Sequence, residues 1–176
     1  MKKSIVVGMI LFISACSSLS KNFVQEGSLR VKGGVSRSIE WRDVLVFKRL
    51  SWYKELTLLF DLAIAKVDKD SHFTKWFSAS ELETISKCSE AYVGVTYALD
   101  NKKISIPMFQ AELKGAGFTE YPVPDFEKEL RLHPDFEVLS LQLYRVSVLC
   151  RSGETLGTGP LLLRFPGFNQ VSIDLN

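Results

Sequence analysis

The chain has 176 residues, 46% apolar and 24% charged, a composition that suits one domain with a modest core and excludes collagen-like, disordered and multidomain architectures. Lys and Arg number 22 against 20 Asp and Glu, a balance too even for an electrostatic nucleic-acid binder.

Met1-Lys2-Lys3 gives a positive start, and Ser4 to Ile13 follows as an uncharged apolar stretch, too short to span a hydrocarbon core of about 30 Å. That is the layout of a secretory signal. Ile13-Ser14-Ala15-Cys16 then sets an aliphatic residue, two small residues and a cysteine in order. Residues 1–16 resemble the signal peptide and lipobox of bacterial lipoproteins, with Ile13 standing where Leu is favoured. The resemblance implies cleavage after residue 15, a diacylglyceryl thioether on Cys16 and acylation of the new amino terminus. Ser17, in place of Asp, implies sorting to the periplasmic face of the outer membrane. Loss of Lys2 and Lys3 leaves 20 basic against 20 acidic residues. At about 0.8 kcal/mol for each buried methylene, two or more acyl chains hold a protein firmly to a bilayer. The alternatives are an uncleaved signal anchor or an ordinary signal peptide cut near Ala15.

Residues 16–38 read as the lipidated cysteine followed by a flexible basic tether, rich in Ser and Gly, with Lys21, Arg30, Lys32 and Arg37 against Glu26. A flexible chain of this length reaches about 25 Å. Gly27 to Val35 also has the composition of a short edge strand. Residues 39–176 are then a single globular domain. With Cys16 assigned to lipid, Cys88 and Cys150 remain, and an even remainder in an exported chain predicts one disulfide. The alternative is two unrelated buried thiols. The long spacing, the absence of a nearby histidine and the absence of Cys-x-x-Cys argue against a metal or redox site.

Within the domain, Val44 to Phe47 reads as a strand. Leu56 to Val67 fits both periods, but its period-two face is unbroken and Asp68-Lys69-Asp70-Ser71 ends it as a turn, so a strand is favoured. Ser78 and Glu81 have capping-box spacing ahead of a short helix to about Lys87. Tyr92 to Leu99 is rich in aromatic and β-branched residues. Asp100 to Lys103 then looks like a turn into a second strand, Ile104-Ser105-Ile106, which predicts a hairpin. Pro107 suits the first position of a helix through Lys114 that ends at Gly115 and Gly117. Phe118 to Glu137 reads as a loop with a short acidic helix, and Val138 to Cys150 as a strand. Leu161 to Phe165 and Val171 to Leu175 are two strands around Pro166-Gly167-Phe168. The fold class expected is mainly β, a two-layer β-sandwich with two or three short helices, with an α+β sheet as the alternative.

Chemical motifs are sparse. No Gly-x-Ser-x-Gly occurs, and Gly157-Thr158-Gly159 lacks the Lys-Ser/Thr of a phosphate loop. Asp68-Lys69-Asp70 opens like a calcium loop, but Phe73 and Ala79 occupy the positions of the required Gly and Glu. No cofactor and no metal site is expected. Phe73, Trp76 and Phe77 form an aromatic cluster that is either a candidate binding surface or, more commonly for such residues, a plug of the core. The expectation is a membrane-anchored, non-catalytic periplasmic domain with an envelope protein or other envelope component as partner. Its competitors are an envelope hydrolase assembled from dispersed residues such as His72, His133 and Asp125, and a purely structural assembly factor.

Overall fold

The computed structural model describes residues 22–32, 44–68, 72–99, 104–131, 144–151 and 159–175. Six strands, β1 (Asn22–Lys32), β2 (Val44–Lys54), β3 (Thr57–Lys66), β4 (Glu90–Ala98), β5 (Phe118–Pro122) and β6 (Arg145–Arg151), form one sheet of order β1-β2-β3-β4-β6-β5 with every neighbour antiparallel. A second sheet pairs β7 (Leu161–Leu163) with β8 (Val171–Ile173). Three short helices, α1 (Ala79–Ser86), α2 (Ile106–Gly115) and α3 (Pro124–Arg131), complete a mainly β architecture.

The two sheets meet across an apolar layer. Leu161, Leu163, Val171 and Ile173 of the small sheet cluster with Trp52, Phe60, Leu62 and Ile64 of the large one, and α2 adds Phe109 and Leu113. The opposite face of the large sheet carries Phe47, Ala63, Ala65, Val93, Val95, Val146 and Val148 under α1, α3 and a 3₁₀ turn at His72–Trp76. The sandwich thus has a helical third layer. Strand β3 lies between both layers, so all residues from Leu59 to Ala65 are buried. A strand covered on both faces shows a continuous apolar run instead of clean alternation, and that run is why its sequence fitted two periods.

Three expectations need correction. Much of the predicted tether is β1, which pairs with β2 over eleven residues from Asn22↔Lys54 to Lys32↔Val44. The domain therefore begins by Asn22, not at 39. An edge strand is held by backbone bonds along one side and tolerates polar residues on its exposed positions, so its composition resembles a linker. Ile104-Ser105-Ile106 is not the second arm of a hairpin. The Ser105 hydroxyl accepts the Met108 N–H and caps α2, and Pro107 occupies its first turn. Phe118 to Pro122, expected as loop, is edge strand β5, with proline at its end, where a missing amide matters least. Residues 138–143 of the strand expected before Cys150 lie outside the described residues.

Candidate functional site

The helices of this face are organised by the buried Glu81 carboxylate and one covalent bond. Glu81, in the first turn of α1, accepts the Ser78 N–H at 2.8 Å through Oε2 and the Asp125 N–H at 3.0 Å through Oε1. It satisfies amides at the N-termini of α1 and α3 together, where helix dipoles favour negative charge. The backward reach to Ser78 follows the capping-box spacing. The second bond, to a residue 44 positions away, had no sequence signal. Just beyond α1, Cys88 is bonded to Cys150 of β6, with Cα atoms 5.3 Å apart.

The aromatic cluster packs inward. Phe77 is buried and stacks on Phe126 of α3 with centroids 4.2 Å apart and ring planes 16° from parallel. Trp76 is half-buried and tilts against the same ring at 5.9 Å. Trp76 and Phe77 are therefore a core plug under α3, the commoner of the two readings, and not the candidate binding surface; the side chain of Phe73 lies outside the described residues. Asp125 is exposed and contributes its amide to Glu81. The side chain of His72 and the whole of His133 lie outside the described residues. Among the described residues, no group of His, Cys, Asp and Glu converges as a metal site.

Sequence reasoning missed a polar cluster toward the β2–β3 turn on this face. Asp61 is 1% exposed and accepts both Arg49 Nε, at 3.0 Å, and Arg49 Nη2, at 2.7 Å. Ser51 Oγ donates to it at 2.8 Å and Tyr144 Oη at 3.0 Å. Burial and the neighbouring Asp61 push the Tyr144 phenol well above its ordinary pKa, and the hydrogen bond to Asp61 raises that of Arg49. With both oxygens engaged, Asp61 is a clamp joining β2, β3 and the entry to β6, not a free general base. Its only sequence signal was a lone acid inside the apolar run Leu59-Phe60-Asp61-Leu62.

On the other side of the molecule an open groove of about 470 Å³ runs between α2 and β7. Ala111, Gly115 and Ala116 form its helical wall, and Gly159, Pro160 and Leu162 its strand wall. Small residues on both walls let a ligand backbone come close. Arg151, Arg164 and Glu112 are its charged lining residues, with the Arg164 side chain donating to Gln170. Arg151 is buried, ion-paired to Glu90 at 2.9 Å and placed 4.6 Å above the Phe118 ring. The Arg164 N–H is held by Glu112 at 3.3 Å. The groove joins residues from three separated segments, which is why no local motif announced it. No family model, no curated protein and no solved structure matches this chain.

Proposed function

We propose that this chain is a lipid-anchored protein of the bacterial envelope, held through Cys16 on the periplasmic face of the outer membrane, whose domain binds a segment of an envelope partner. The observation that carries this reading is the division of three cysteines. Ile13-Ser14-Ala15-Cys16 has the form of a lipobox, and the two remaining thiols are joined as Cys88–Cys150, a bond that persists in oxidising compartments and is rare in the cytosol. The α2–β7 groove supports the binding role. Its small-residue walls suit an extended peptide, and Arg164, with Arg151 already paired to Glu90, suits a segment carrying an acidic side chain.

Intact mass of the protein purified from its native membrane, before and after reduction and alkylation, tests the anchor and the staple together. The expected result is a lipid-modified terminus at Cys16 and two thiols alkylated only after reduction. An unmodified terminus or two freely alkylated thiols overturns the reading. For the groove, a photo-crosslinking residue at Ala111 should give one adduct of fixed stoichiometry that Arg164→Glu abolishes. Equal crosslinking from Leu82 on α1, away from the groove, would sink the binding role.

A further inference from the structure

The start of β1 limits how far the domain stands from its anchor. Six residue steps separate Cys16 from Asn22, which at full extension is about 21 Å whatever conformation they take. The other end of β1, at Lys32, is a further 34 Å or so along the strand. Asn22 is the cross-strand partner of Lys54, so the two-residue β2–β3 turn, Glu55-Leu56, sits beside the root of the anchor.

That end of the sheet exposes several large apolar side chains beside the charged Lys54 and Glu55. Leu56 is 94% exposed at the tip of the turn. Glu55 holds a φ of 56°, a left-handed conformation that glycine adopts without strain and other residues rarely take. Phe23 stacks on Tyr53 with centroids 5.0 Å apart and ring planes 12° from parallel, and Phe23 and Leu99 are each more than a third exposed. Leu99 is level with them, its N–H bonded to Leu59 O.

Resting on the anchored reading above, we propose that the β2–β3 turn is a second contact with the lipid surface. Leu56 enters the boundary between headgroups and acyl chains, the Phe23–Tyr53 pair lies at headgroup level, and Lys54 extends its amine toward lipid phosphates. The domain stands end-on, its strands running away from the bilayer and the α2–β7 groove left open to the periplasm. A short leash favours this end because it keeps the turn within reach of lipid at all times, so a contact too weak to recruit a soluble protein suffices to orient a tethered one.

The test uses the full lipidated chain in vesicles of phosphatidylethanolamine and phosphatidylglycerol that carry nitroxide-labelled acyl chains. With Cys16 acylated and Cys88–Cys150 oxidised, Leu56→Cys supplies a single free thiol for an environment-sensitive fluorophore, and Leu82→Cys supplies the reference. Fluorescence at position 56 should be quenched several-fold more strongly than at 82. Amide exchange over residues 54–57 should slow on vesicles in the wild type and not in Leu56→Asp, which excludes insertion driven by the label. Equal quenching, or exchange unchanged by vesicles, in a chain that floats with them and shows the lipid mass overturns the second contact alone. A chain that neither floats nor shows that mass overturns the anchored reading and this contact with it.

Discussion

The two faces of the large sheet are closed by different means. Toward α2 and the β7–β8 sheet the strands supply large side chains, and the layer is an aromatic interlock: Phe60 lies 5.4 Å from Trp52, 5.1 Å from Phe109 and 5.8 Å from Phe165. Toward α1 and α3 the strands supply Ala63, Ala65 and Ala91, the helices bring in Phe126 and the preceding turn Phe77, and the layer is fastened by Cys88–Cys150, Glu81 and the Asp61 cluster. Short helices of eight residues have too little propensity to hold position alone, so the helical face needs point fastenings at its helix ends, whereas the polar contacts of the aromatic face gather at one edge, where Glu90 meets Arg151 and Tyr92. One face depends mainly on shape, the other on individual bonds.

The sharpest way to break that contrast is to remove one ring from each side. Phe60→Ala should cost about 4 kcal/mol, because its cavity opens against three other aromatics that cannot collapse together. Phe126→Ala should cost about 3 kcal/mol, since the disulfide and Glu81 still hold the ends of the helices. Urea unfolding of both variants decides it, and equal losses would mean that the fastenings add nothing. Next, Cys88→Ser should lower stability under oxidising conditions by up to about 4 kcal/mol, the chain-entropy value for a cross-link of this span. Reduction of the wild type should produce the same loss, and a melting transition unmoved by reductant would remove the staple from this account.

Asp61 tests the polar side of the contrast at smaller scale. Asp61→Ala leaves Ser51, Tyr144 and the Arg49 guanidinium without their acceptor. The expected loss is about 2 kcal/mol, below that for a fully buried ion pair because the Arg49 side chain is 31% exposed. A loss under 0.5 kcal/mol, the scale of a surface pair, would show that solvent already screens the cluster. Each face also holds a phenol with a raised pKa, Tyr92 buried and Tyr144 half-buried. Tyr92, on the aromatic face, is pushed up to about 12 by burial and by Glu90, while Tyr144 is raised by burial and by Asp61. A raised folded pKa means stability is intact below about pH 10, where unfolded tyrosine begins to ionise, and falls as pH rises toward 12. Tyr92→Phe and Tyr144→Phe should each flatten that alkaline fall, and each should cost up to about 1 kcal/mol at neutral pH through its lost bond, to Glu90 and to Asp61 respectively. Denaturation at pH 7 and pH 11 separates the ionisation effect from the lost bond.

The same contrast explains what the sequence disclosed. Strand β3, the α1 cap, the α2 start at Pro107, the β7–β8 pair around Gly167 and the cysteine pair all rest on local chemistry or on counting, and all were legible, whereas the capping role of Ser105 was not. Gly167, with a φ of 83°, is where its turn needs a residue without a Cβ. Strand β5, and β1 apart from the edge strand allowed for Gly27 to Val35, were misread because edge pairing is chosen by a partner strand and leaves little hydrophobic period behind. The Glu81–Asp125 bond, the Asp61 cluster and the α2–β7 groove were invisible for a related reason: each joins residues from segments far apart in the chain. The Ser78–Glu81 spacing and the aromatics around Trp76 show the limit from the other side, since one motif named the cap made by Glu81 on the Ser78 N–H and the other left both plug and surface open, a choice that Phe126 decides by covering the cluster.

The smallest expected effect has the opposite sign and sits on the aromatic face. Ser147 of β6 is fully buried there, opposite Gly94 of β4, and its Oγ has no hydrogen-bond partner among the described residues. On the helical side the Asp61 and Glu81 carboxylates find donors, and here a hydroxyl is carried into an apolar layer without compensation. Desolvating such a group without a partner costs about 1–3 kcal/mol on mutational scales. Ser147→Ala removes the hydroxyl and leaves a void no larger than one oxygen, so the variant should be more stable by up to about 1 kcal/mol. Phe60→Ala and Ser147→Ala together then define the aromatic face as one that gains from shape and loses from polarity. A clear loss of stability in Ser147→Ala would mean that this hydroxyl has a partner in the folded protein, and that both faces depend on placed polar bonds.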